Sequence, residues 1–408
     1  MKIKSINKKI LDSDKNFYDI TVDKYHNFLI GKSMIVTHNS SLSNAIINLA
    51  QSFKNNAPLL EEDGQFGSLR SPEAGAPRYI GTKLSPYFKL IYKDFELLEH
   101  RQEEGEKIEP YFFLPIIPMI LVNGSQGIAV GFASNILNRD IKELIKKCQE
   151  VLEGKKMKTL KPHLNSFKGE WIQDVENPLR WIIRGKFEVK NTTTLEITEL
   201  PPSLTYEKYE KYLDKLIEDD VIQDYEDNCQ DDVNYIIKFK RSDLSKLSQN
   251  DLIKILKLEE TQTENLSTID ENGKLKLFES IDDMIKYFVE FRLKYYDERK
   301  KHLLEKLNKE LKLILNKSKF IQLILDNKII VNNKTKIQIF KQIESHKLEM
   351  IDESYDYLLR MPIYSLTKEI YDKLKNDLKV KEDELKNVEK LQPKEMYIDD
   401  LKQLSKNV

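Results

Sequence analysis

DGQFGSLRSPEAGAPRYIGTKL, Asp63 to Leu84, holds one Arg-Tyr pair, Arg78-Tyr79, in a loop of Gly, Pro, Ala and Ser. Small residues let a backbone come close to a ligand. A tyrosine beside a permanent cation is a candidate nucleophile, because the cation favours phenolate over phenol. From Arg70 to Lys93 five cations (Arg70, Arg78, Lys83, Lys89, Lys93) accompany one acid, Glu73, a local charge of +4. Taken alone, these residues fit a polar surface loop with a tyrosine at its edge better than a catalytic one.

The local charge stands out because the chain is balanced: 66 basic and 67 acidic residues among 408, net −1. That excludes a protein that coats DNA through global positive charge; any nucleic-acid contact must be a local patch. The length suggests roughly two to four domains. With 33% charged residues and only 13 Gly and 13 Pro, the composition is that of a folded, helix-rich protein. Two cysteines, Cys148 and Cys229, and six scattered histidines exclude a disulfide framework and a zinc site. The apolar run Phe112–Val122 contains two prolines and is too short to span a membrane. No apolar core follows the N-terminal lysines, so no signal peptide is expected and the expected compartment is the cytoplasm.

Upstream of the loop, residues 1–39 form a unit of their own. FYDITVDKYHNFLIGKSMIVTHN alternates apolar and polar residues in short runs, hairpin material with a turn at Gly31-Lys32. It ends in Thr37-His38-Asn39-Ser40. An Asn side-chain amide can attack its own carbonyl and cut the following peptide bond. A neighbouring His can supply the proton, and a Ser after the cut can receive an acyl group. The segment resembles the C-terminal part of an intein, with His26 in its penultimate block and His38, Asn39 and Ser40 at the splice point. The resemblance implies the C-terminal fragment of a split intein, spliced in trans to the N-terminal half of the same subunit, which would carry the N-intein. Tyr25 stands before His26 where many split inteins carry an acid.

From Ser40 the chain opens as a helix with a stripe of Leu42, Ile46, Ile47, Leu49 and Ala50. After the loop, Ser85–Pro110 reads as a helix and a charged connector. Asn123-Gly124 marks a turn. Ile128 sits between Gly127 and Gly131. It could be a wedge between base steps, but spacing alone favours core packing. Arg139–Gly154 has the pattern of an amphipathic helix. Strands are expected at Trp181–Val189, Thr194–Leu200 and Val233–Phe239, and a helix over Tyr206–Ile217. The acids between Asp219 and Asp232 read as a solvated linker rather than a metal site, since no calcium-loop spacing is present. Leu304, Leu307, Leu311 and Ile314 step at heptad spacing, as do Tyr371, Leu374, Leu378, Lys381, Leu385 and Val388. They predict two antiparallel helical arms around a helical insertion, Phe320–Arg360, with Ser365 as a candidate cap for the returning arm. A plain helical hairpin without partners fits the spacing equally.

The order DGQFGSLR, APRYIGTKL, PIIPMILVNGSQGIAVGFASNI, LEITELPP, FRLKYYDERKKHL and YDYLLRMPIYSLTKE resembles the breakage–reunion part of type IIA DNA topoisomerases over residues 40–401. The resemblance is in particular to eukaryotic topoisomerase II and the medium subunit of tailed-phage enzymes. The resemblance implies an α+β, mainly α protein. Residues 1–39 would be the β-rich intein fragment and 40–138 a partial winged-helix domain. Residues 139–280 would be a mixed α/β tower domain, and 281–401 a long antiparallel coiled coil with a helical exit gate. It implies that Tyr79 attacks DNA and holds its 5′ phosphate, that Arg78 stabilises the developing charge, and that Ile128 bends the gate DNA. Gln65, Arg70 and Lys83 would be further DNA contacts. Magnesium and ATP would lie on a partner ATPase and magnesium-binding subunit, with double-stranded DNA as substrate and a homodimer closed through the coiled-coil gate. A phage or bacterial host cytoplasm would be the setting.

The chain departs from the family before the Arg-Tyr pair. Ser71-Pro72-Glu73 and Ala74-Gly75-Ala76-Pro77 stand where cellular enzymes have a basic residue and an alanine run, about two residues longer. No wrapping domain is expected after residue 401, so relaxation and decatenation are expected rather than supercoiling. The loop is expected to be inactive until the first part of its domain is joined. Two other readings stay open: a non-catalytic DNA-binding or clamp protein of the same fold, and a subunit that works unspliced.

Overall fold

The computed structural model describes the backbone of residues 3–10, 16–22, 27–30, 35–103, 105–129, 131–156, 159–230, 232–351 and 354–408. Side chains are described within these from residue 42 onward, except Ala129 and Ile363. His26 lies outside the described residues, as do the side chains of His38, Asn39 and Ser40. Two compact units emerge. One comprises residues 1–93, 117–287 and 403–408; the other comprises 94–116 and 288–402.

The first unit mixes helices and strands. Ile3–Ile10 pairs with Asn16–Val22, and Asn27–Ile30 with Ile35–His38, both antiparallel. The helix Asn39–Ala50 follows at once. Its stripe is only partly used within the chain: Ala50 is buried, but Leu42 and Leu49 are exposed. A two-stranded ribbon, Leu60–Asp63 with Gly81–Leu84, closes the loop that carries Tyr79. The helix Ile141–Glu153 starts on Asp140, whose carboxylate accepts from Glu143 N, and stops on left-handed Gly154.

Two sheets build the middle of this unit. The larger runs Lys186–Val189, Thr194–Glu199, Tyr235–Lys238, Asp224–Asp227, all antiparallel. Helices Tyr206–Glu218 and Gln249–Ile255 supply Tyr209, Leu213 and Leu252 to its core, against Leu195, Ile197 and Ile237. Each such burial stabilises by ~1.5–3 kcal/mol. The smaller sheet runs Glu170–Gln173, Arg180–Arg184, Glu259–Thr263.

Two expectations change here. The strand expected at 181–189 is two strands in two sheets, broken at Gly185. A Cβ there would stand 2.2 Å from the Glu199 carbonyl oxygen, so only glycine lets the chain cross. The acidic run is not a linker either. Asp224–Asp227 is an edge strand, and Lys238 opposite it pairs with Asp224 and Glu226.

The second unit consists of helices and one hairpin among the described residues. That hairpin, His100–Glu103 with Glu106–Pro110, replaces the expected charged connector, and Gly105 at φ +88° makes its turn. The long helix Ile281–Leu325 and the helix Lys368–Lys390 run antiparallel. Lys300 donates to the Glu389 carbonyl at 2.9 Å, and Lys381 pairs with Glu310 at 3.0 Å. The insertion between them has its own core of Phe320, Ile339, Ile343, Tyr355 and Leu358. Thr367, not Ser365, caps the returning helix, accepting from Ile370 N. Arg292, buried, pairs with Asp94, and Tyr296 stacks on Tyr397 with ring centroids 4.5 Å apart.

Candidate functional site: an exposed tyrosine loop and an exposed isoleucine hairpin

Residues 64–80 leave the ribbon and return to it, and three devices shape the excursion. Gly64 (φ +99°) and Gly67 (φ +93°) take turns that other residues resist; a Cβ on Gly67 would sit 2.6 Å from the Pro72 carbonyl oxygen. Phe66 is buried beneath the loop. Gln51, just past the helix Asn39–Ala50 and itself buried, donates from Nε2 to the carbonyls of Phe66 (2.7 Å) and Pro72 (3.3 Å). Within the loop, Ser68 N bonds to Ser71 O and Gly75 N to Gln65 O, both at 2.8 Å.

This scaffold leaves Tyr79 77% exposed. Its backbone N–H donates to the Ala76 carbonyl at 2.9 Å, and the Arg78 guanidinium carbon lies 5.7 Å from its ring centroid. Among the described residues Arg78 forms no ion pair. Arg78 and Tyr79 thus stand together on the exposed side of the loop.

The other expected contacts divide. Gln65 is exposed on the same loop. Lys83 is exposed but pairs with Glu61 at 2.8 Å, and that hydrogen bond raises its pKa. Arg70 is exposed but engaged within the fold: Nη1 donates to the Cys229 carbonyl at 2.8 Å and Nη2 meets Asp227 at 3.1 Å. It ties the loop to the acidic edge strand. The local +4 is therefore partly answered within the fold.

Ile128 is 92% exposed, so the core-packing expectation from spacing is overturned. It lies on the hairpin Ser125–Ala129 with Phe132–Ile136, opposite Ala133. Asn123-Gly124 lies at the hairpin's foot rather than its tip: Asn123 caps the short helix Met119–Val122 and Gly124 (φ +69°) leads into the strand. Asn123, whose role the sequence did not disclose, clamps Ala57 by accepting from its N–H and donating to its C=O, both at 2.9 Å. Beside the hairpin lies a groove of about 1020 Å³ lined by Lys54, Asn55, Asn123, Gln126, Asn135 and Gln262, among others. Burial lowers the pKa of Lys54 there. Among the described residues no group of three or more His, Cys, Asp and Glu could hold a metal ion, and no helix is long and apolar enough to cross a membrane.

A family model for the A subunit of DNA gyrase/topoisomerase IV matches residues 27–403. The chain is 34% identical over 414 residues to DNA topoisomerase 2 of Plasmodium falciparum, covering 90% of this chain and 30% of that protein. It is 32% identical over 403 residues to DNA topoisomerase 2-alpha of Gallus gallus, covering 89% and 26%. A crystal structure of the Plasmodium falciparum topoisomerase II DNA-binding, cleavage and re-ligation domain is similar at TM-score 0.83 and 34% identity, over 90% of this chain and 55% of that one. The chain thus spans less than a third of these full-length relatives.

Proposed function

Because the chain belongs to the DNA gyrase/topoisomerase IV A-subunit family, we propose that it carries the strand-cutting tyrosine of a type IIA DNA topoisomerase. Tyr79 Oη gives up its proton and attacks a DNA phosphorus, the bond to the 3′ oxygen breaks and that oxygen takes up a proton, and the 5′ phosphate stays on the tyrosine. The freed 3′ hydroxyl later reverses the step. Arg78 stabilises the negative charge that builds on the phosphate during transfer. Ile128 enters between base steps and bends the duplex. The observation that carries this reading is the pairing, in one compact unit, of an exposed Arg-Tyr pair on an anchored loop with an exposed isoleucine on a hairpin.

Passing a second duplex through the break, for relaxation and decatenation, draws on ATP and magnesium. Both would lie on partner subunits. Residues 40–138 would act as part of a winged-helix domain and 139–280 as a tower. Residues 281–401 would form coiled-coil arms and an exit gate where two copies meet. Residues 1–39 would be a C-terminal split-intein fragment, with Asn39 cleaving after itself, His38 and His26 assisting, and Ser40 receiving the acyl group from a partner precursor.

The cleavage reading is tested by trapping protein–DNA adduct in the assembled enzyme. Wild type should give adduct and Tyr79→Phe none; adduct persisting in Tyr79→Phe would remove Tyr79 as nucleophile. The splicing reading is tested by mixing the chain with a precursor that carries an N-intein. Release of residues 1–39, blocked by Asn39→Ala, is expected, and an intact chain after mixing would count against it.

A further inference from the structure

The hairpin that carries Ile128 is a weak lever by itself. A two-stranded ribbon is marginal in water, and a base step resists being unstacked. The force that Ile128 meets passes to the hairpin's feet, Gly124 and Leu137. If the feet yield, the hairpin tilts and the duplex stays straight.

One buried carboxylate fixes Leu137. Glu264 directly follows the strand Glu259–Thr263. Its Oε1 accepts from Leu137 N at 3.0 Å. Its Oε2 accepts from Arg139 Nη2 at 2.7 Å and from Trp181 Nε1 at 3.0 Å. Arg139 turns its other donors onto the Leu137 carbonyl (Nη1, 2.7 Å) and the Leu160 carbonyl (Nε, 3.2 Å). The ion pair therefore grips both backbone polar groups of Leu137. Both side chains are sealed from water, at 0% and 1% exposure. Two residues up the hairpin, Asn135 exchanges backbone bonds with Asn265 at 3.0 and 2.8 Å, and its Nδ2 donates to Thr263 O at 2.7 Å.

A buried ion pair is a poor way to gain stability, since apolar side chains of similar volume do as well or better. What it supplies here is a directional hold that apolar packing cannot give. We infer that Glu264, acting through Arg139 and the backbone of Leu137, is the positioning residue that sets the angle of the Ile128 hairpin and so the bend imposed on duplex DNA. The inference rests on the reading of Ile128 as a wedge.

The test titrates the assembled enzyme against a short duplex with donor and acceptor dyes at its ends. Wild type should raise energy transfer at saturation, and Ile128→Ala should remove the rise. Glu264→Gln turns an amide N–H toward donors. It should lose about half or more of the rise while the titration midpoint moves less than about threefold, as expected for a change in bend rather than in phosphate contact. Arg139→Lys, which keeps a charge beside Glu264 but gives up the fork onto Leu137, should show a smaller loss. Circular dichroism checks the fold. If Glu264→Gln does not fold, Glu264→Asp carries the same expectation, being too short to reach Leu137 and Arg139 together. An Ile128-dependent rise that is unchanged at saturation in the Glu264 variant overturns the inference, whatever Arg139→Lys shows. No rise with wild type overturns the wedge reading and the inference with it.

Discussion

The tyrosine loop and the isoleucine hairpin each present one exposed side chain, yet they are held by opposite means. The loop hangs on a neutral amide, Gln51, and on glycine turns. The ion pairs in and beside it, Arg70 with Asp227 and Lys83 with Glu61, are exposed to water and contribute little to stability. The hairpin rests on an ion pair that water does not reach. A nucleophile that must follow a phosphate through attack and reversal gains from a support that can shift. A wedge that must deform DNA gains from one that cannot.

The contrast can be broken by substitution. Arg139→Met should have the largest effect, because it leaves the Glu264 carboxylate buried without its cation; a loss of ~3–5 kcal/mol is expected in urea unfolding. Gln51→Ala should cost less, ~1–3 kcal/mol, by freeing two loop carbonyls from their donor. It should also slow adduct formation more than it weakens DNA binding. Equal costs for the two substitutions would erase the distinction between the supports. Arg70→Ala and Asp227→Ala should be nearly silent in stability, within ~1 kcal/mol. If Arg70 works as a latch, the two should change adduct formation alike. If it works as a DNA cation, only Arg70→Ala should weaken binding, and most strongly at low salt.

Much of the fold was written in local pattern. The heptad positions Tyr371, Leu374, Leu378, Lys381, Leu385 and Val388 are the half-buried ones from Tyr371 to Lys390, while the residues between them are exposed. Arg78-Tyr79 was legible as a candidate because the two groups the proposed chemistry needs are adjacent residues. What stayed hidden depends on partners far along the chain. Gln51 meets Phe66 across 15 positions, and Arg139 meets Glu264 across 125. No periodicity points to either, although a lone Gln beside an apolar helix end and an Arg before a buried stripe were signals. The acids of Asp224–Asp227 looked like linker because composition does not reveal Lys238 on the neighbouring strand. Gly185 did carry a signal, since a glycine inside a strand pattern often marks a break. Ile128 misled because apolar spacing cannot tell a core strand from a hairpin that projects beyond the core.

The central claim is that Tyr79, among 19 tyrosines, is the residue that takes up DNA. Denaturing the assembled enzyme during cleavage, digesting protein and DNA, and sequencing the adducted peptide by mass spectrometry tests it most directly. The expected product is a nucleotide attached through a 5′ phosphate to Tyr79, in the peptide that also contains Ile80 to Lys83. A nucleotide on any other tyrosine, or on a 3′ phosphate, would contradict it.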